Sequence, residues 1–200
     1  MTAVLGGVLA VVGCSDHGDD SARGPSATVR AEPATTIAAP LVPVDQVPAV
    51  IDVAYVQRVI DALDHVMGDA VRALVAAKAP DRAFYERLRA VYLDPEFERV
   101  QSSFGRSAAN DLAGFRDTPG DPVTRIGRVI TAANDCIFAE VDRDLGPAYK
   151  DPPSPEERHA FLGLGTKKPD QDPASRNPTA WMIGFDGRNA DGSEPPNPCA

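Results

Sequence analysis

The side chains that could do chemistry gather around one stretch, 123–144, with the sequence VTRIGRVITAANDCIFAEVDRD. It reads as two β-strands joined by a tight Ala-Asn-Asp turn, with Cys136 on the second. Side chains alternate along an extended strand, so Cys136, Phe138, Glu140 and Asp142 share one face. Ile137, Ala139, Val141 and Arg143 share the other. Paired carboxylates suit general acid–base work if a pocket desolvates them. Glu140 and Asp142, with Trp181 on a later strand, therefore form a candidate pocket. The plain alternative is a pair of solvated strand carboxylates.

The remaining reactive groups offer less. His17 lies in a polar N-terminal segment, and His159 stands at the start of a predicted strand. His65 sits opposite the apolar stripe of a predicted helix, with Asp61 and Asp69 four residues to either side, which is the pattern of a solvated ion-pair face. Asp186, Asn189, Asp191 and Glu194 make an acidic loop, but without the spacing of a calcium-binding EF-hand. Gly163-Leu164-Gly165-Thr166-Lys167-Lys168 lacks the spacing of a phosphate-binding loop. The sequence holds no GxSxG elbow and no paired Cys or His spacing for zinc. No catalytic residue, metal or cofactor is assigned from it.

These residues need elements to position them. Val56, Ile60, Leu63, Met67, Ala70, Val71 and Leu74 recur three or four apart, which predicts a long helix from an Asp52 cap to Pro80. It spans about 27 residues, or about 40 Å. A second helix starts at Asp81 and turns Phe84, Leu88, Val91 and Tyr92 inward. A third is predicted to start with Asp94 as cap and Pro95 in its first position. Strands follow over 123–131 and 136–144. Ser154 and Glu157 fit a capping box ahead of a strand over 160–166. The last strand, 179–186, is predicted to carry Trp181, Ile183 and Phe185 on one face. Helices first and about four antiparallel strands afterwards give an α+β fold over 50–200.

The N-terminus reads as an address. Residues 3–12, AVLGGVLAVV, have the length of a signal-peptide apolar region, far short of a membrane span. No Lys or Arg precedes the run, where a signal peptide normally carries one. Val11-Val12-Gly13-Cys14 resembles a bacterial lipobox, and the polar SDHGDD follows at once. That resemblance implies a signal peptide over 1–13 and a lipid on Cys14, hence a membrane anchor on the extracytoplasmic face. Residues 14–49 are Pro/Ala-rich without a period, a flexible tether reaching about 30 Å. Within it, 41–44 could instead dock on the domain. With Cys14 lipidated, Cys136 and Cys199 remain for a disulfide, which would pin the tail to the sheet and contribute about 4 kcal/mol. Two unpaired thiols are the alternative.

Charge narrows the partners. A net charge of −9 excludes nucleic acid, which needs a basic stripe, and electrostatic docking on anionic lipid. Arginine well in excess of lysine, with abundant Ala, Gly and Pro, hints at an actinobacterial source. The chain resembles actinobacterial lipoproteins that have a lipobox, a Pro/Ala stalk and a small α+β domain. The element order over 50–186 also resembles the NTF2-like superfamily, which implies a sheet wrapped on a long helix around a pocket. The first expectation is a non-enzymatic anchored domain that binds a cell-envelope protein or a small apolar ligand. An NTF2-like enzyme using a pocket carboxylate, or a cell-wall structural protein, are the alternatives.

Overall fold

The computed structural model describes residues 41–168 and 170–200. The signal peptide over 1–13, the lipid on Cys14, His17 and the tether as far as residue 40 lie outside them. Helices α1 (Val53–Ala77), α2 (Arg82–Val91) and α3 (Glu96–Ala108) come first. Strands β1 (Val123–Ala132), β2 (Cys136–Asp144), β3 (His159–Thr166) and β4 (Trp181–Gly187) follow. They pair antiparallel in chain order as one meander, and the helices pack on one face of it, so the domain is α+β. No described helix is long and apolar enough to cross a membrane.

The helix starts follow local chemistry. The Asp52 carboxylate accepts from the Tyr55 amide at 2.7 Å, and the Asp81 carboxylate accepts from the Phe84 amide at 2.7 Å. Each satisfies an amide that has no partner within its own helix. α1 closes at Lys78, whose backbone is left-handed at φ 56°. α3 differs from expectation. Pro95 stands at the cap position with no side-chain cap, and Asp94 lies outside the helix. The reason is upstream: Tyr92 bridges to Ile183, and the Leu93 amide donates to the Ile183 carbonyl at 2.9 Å. The backbone there is spent on the edge of β4 and is extended until Asp94.

Gly68 on α1 is where the 119–122 loop lands. A Cβ at Gly68 would sit 1.9 Å from Asp121 Oδ1 and 3.0 Å from its Cα. Asp121 in turn accepts from Arg72 at 2.6 Å and pairs with His65 Nδ1 at 2.8 Å. His65 is thus tied to the loop as well as to Asp69, at 3.8 Å, while Asp61 accepts from Gln57. Gly105 on α3 has nothing within 4 Å of its Cβ position. The two glycines should therefore respond with opposite sign. Gly68→Ala is expected to lower stability by about 1–3 kcal/mol through overpacking, despite better helix propensity. Gly105→Ala is expected to raise it by up to about 1 kcal/mol. Urea unfolding of both variants checks the pair, and stabilisation by Gly68→Ala would contradict the packing.

The end of the sheet breaks the simple alternation. Gly163 pairs with Phe185 but Leu164 pairs with Ile183, so Gly184 bulges out of β4. One extra residue moves every later side chain to the opposite face. Trp181 and Ile183 stay in the helix-side core, whereas Phe185 joins Phe138 and Phe161 on the outer face. The same flip turns Asp186 toward the helices.

The outer face is strapped by the C-terminal tail. Cys136 and Cys199 form the disulfide anticipated from the sequence. Asn197 donates to Thr131 Oγ1 at 2.9 Å, and Glu194 pairs with Arg128 at 3.2 Å. Pro198 lies so close to Gly163 that a Cβ there would sit 2.9 Å from its Cγ. At the other end, residues 41–49 are docked on the domain, the alternative weighed for 41–44. The Val44 carbonyl accepts from the Ala180 amide at 2.9 Å, and the Gln46 carbonyl accepts from Tyr55 Oη at 2.6 Å. Trp181 Nε1 donates to that same hydroxyl at 2.8 Å, so the buried indole helps to hold the arm.

Candidate functional site

A cleft of about 280 Å³ opens between α1, α3, the end of β2 and the 145–158 segment. Met67, Val71, Val100 and Phe104 supply an apolar wall from the helices. Tyr92, Arg143, Tyr149, Arg158 and Asp186 supply the polar one. Each polar group is placed by an element already described. Arg143 is the inward residue of β2 that follows Ile137, Ala139 and Val141. Asp186 is delivered by the β4 bulge, and Tyr92 sits on the extended link after α2.

Arg143 organises the site. Only 8% of its side chain is exposed. Nη1 donates to Asp186, and Nη2 reaches Asp64 Oδ1 at 3.4 Å. Burial works against the cation, but Asp186, Tyr92 and Asp64 outweigh it and hold the guanidinium above its ordinary range. Asp64 lies behind Arg143 on α1 and also accepts from the Thr124 amide at 2.9 Å, which fastens β1 to the helix. Burial pushes its carboxyl up to about 6, against the opposing pull of Arg143 and of the Thr124 hydrogen bonds. Burial likewise raises the Tyr92 and Tyr149 phenols, so both stay protonated donors near neutral pH.

The Asp64 shift has a sign that can be measured. The unfolded carboxyl titrates near 3.8 and the folded one near 6, so the folded state holds its proton more tightly. The stability from this proton is complete below about 3.8 and is lost as pH rises through about 6. A gap of this size corresponds to about 3 kcal/mol. Asp64→Asn removes the titration. The unfolding free energy of the wild type minus that of the variant should fall from pH 4 to pH 7.5, and a flat difference would contradict the burial.

The residues singled out from the sequence lie elsewhere. Glu140 is on the outer face, 3.0 Å from His159 Nε2 and 3.1 Å from Arg128 Nε. Its hydrogen bonds with His159 and Arg128 hold its carboxyl below the usual range. Asp142 shares that face and is exposed. Trp181 is sealed in the core. None of the three lines the cleft. Asp186 leaves the acidic loop for Arg143, while Asp191 accepts from Ser193 and Glu194 pairs with Arg128. Among the described residues no group of three or more His, Cys, Asp or Glu gathers as a metal site.

A larger hollow of about 530 Å³ lies between α2 and the 170–174 loop. Two of its four carboxylates are committed, Asp172 to the amides of Arg176 and Asn177 and Glu86 to Arg82 and Arg176. The cleft is the better site because it combines an apolar wall with deeply placed charge. Its residues carried a signal in the sequence. Arg143 continues an apolar strand face, and Asp64 falls four after Ile60 inside the stripe of α1. A charge at a core position needs a partner, and these two are partners of each other.

No protein family, no curated protein and no solved structure matches this chain.

Proposed function

We propose that this protein is a lipid-anchored extracytoplasmic domain that binds a small ligand in the cleft without transforming it. The observation that carries the reading is the cleft itself: an apolar wall from α1 and α3 facing the buried Arg143. The two carboxylates in its wall are committed, Asp186 to Arg143 and Glu157 to the Ser154 amide. That favours holding a molecule over moving its protons. The VVGC motif supports the anchor, and the Cys136–Cys199 bridge supports an oxidising compartment. In the same reading the domain is NTF2-like, with helices ahead of an antiparallel sheet and a ligand between the layers.

One mass-spectrometric experiment on the protein from its host, without reductant, tests this. The denatured mass is expected to begin at Cys14, to include a diacylglyceryl group and to lack two hydrogens. The native spectrum is expected to add a small molecule that is lost on denaturation. An unprocessed, unacylated chain would remove the anchor. Equal native and denatured masses would remove the ligand.

A further inference from the structure

We propose that the ligand of the cleft carries a carboxylate head on a short apolar body. This rests on the binding reading above and names the chemistry it selects. The argument is an inventory of hydrogen bonds. The carboxylates in the wall, Asp186 and Glu157, are already engaged. The donors are not exhausted. Arg143 spends its fork on Asp186 and Asp64, and Arg158 spends Nη2 on Asp144 at 3.3 Å. The Nε of each is enclosed and has no partner among the described residues. Tyr92 and Tyr149 add two phenols to the wall, each with an O–H to donate.

A head group that accepts therefore fits better than one that donates, since the cations of the wall outnumber the hydroxyls left to accept. The planar guanidiniums suit a carboxylate, which takes two parallel N–H groups at once. Both Nε atoms are closed to solvent, so a ligand oxygen reaches one only as the side chain shifts, and that shift relieves a buried polar group. The opposite wall, Met67, Val71, Val100 and Phe104, has nothing to offer a second charge. The cleft, at about 280 Å³, lies at the small end of ligand cavities, so the apolar body is short.

Calorimetric titration of the full chain carrying Cys14→Ala tests the proposal, with octanoate, 1-octanol and octylammonium as probes of one chain length. Octanoate is expected to bind about tenfold or more tighter than 1-octanol, and octylammonium more weakly than either. Arg143 is a poor target because its loss strips the buried Asp64 and the half-buried Asp186 of their cation. Arg158→Gln and Tyr149→Phe are expected to weaken octanoate more than 1-octanol, with melting temperatures checked for folding. Ser103→Trp, which fills the cleft from α3, is expected to abolish octanoate binding. If 1-octanol binds as well as octanoate, the carboxylate inference fails and the binding site stands. If octanoate still binds to Ser103→Trp, the placement in the cleft fails. If no probe binds and the protein from its host carries no ligand, both readings fail.

Discussion

Arg143→Met is expected to lower stability by about 3–5 kcal/mol, a large share of the roughly 5–15 kcal/mol of an ordinary domain. The arginine is buried between Asp64 and Asp186, and the substitution leaves both carboxylates without their cation. Asp64 cannot turn to water, because it is buried on α1 and held by the Thr124 amide, whereas Asp186 is half-buried in the cleft wall and carries the smaller share of the loss. The loss belongs to the stranded charges more than to the pair, whose desolvation offsets much of its attraction. Two consequences separate this account from simple loss of packing. Lowering the pH toward 4 should restore part of the stability of Arg143→Met, since protonation removes the stranded charge. The apolar triple variant Asp64→Leu/Arg143→Met/Asp186→Leu should recover most of it. Urea unfolding at two pH values measures both, and a loss below about 1 kcal/mol for Arg143→Met would contradict the assignment.

Cys199→Ser is expected to cost about 4 kcal/mol, through the freedom an unbridged chain regains when unfolded. The bridge joins residues 63 apart in sequence, so the unfolded ensemble it restricts is large. Cys136→Ser and the double variant should match Cys199→Ser, because each breaks the same bond. The folded state should change as well. The tail lies on the face of the sheet that carries Phe138, Phe161 and Phe185, and without the bridge Asn197, Pro198 and the Arg128–Glu194 pair remain to hold it there among the described residues. Amide exchange should accelerate throughout Cys199→Ser as global stability falls, and further in β2 and β3 than in α1. Equal acceleration throughout would mean that the strap serves global stability alone.

Much of this architecture is written locally. Asp52 and Asp81 cap helices because their carboxylates reach amides three residues on, which a sequence displays directly. The α1 stripe, the β1–β2 hairpin and the pairing of Cys136 with Cys199 are legible for the same reason: each depends on spacing or on counting. What escapes is decided at a distance. The bulge at Gly184 sends Phe185 and Asp186 to faces that strict alternation denies them. The late start of α3 follows from Leu93 pairing with Ile183, far along the chain. The 41–49 arm is proline-rich and reads as tether, yet Trp181 and Tyr55 give it a place to bond. The cleft follows the same logic: alternation points to Glu140 and Asp142 as paired carboxylates, whereas the charges that line or support the cleft are isolated within apolar patterns, as Arg143 and Asp64 are.

The most direct test of the binding reading is a crystal structure of the protein purified from its host with no ligand added. The expected result is density for a small molecule between Arg143 and Tyr149 on one side and Val100 and Phe104 on the other. A cleft filled only by water, or narrowed by repacked side chains with the molecule bound elsewhere, would contradict it.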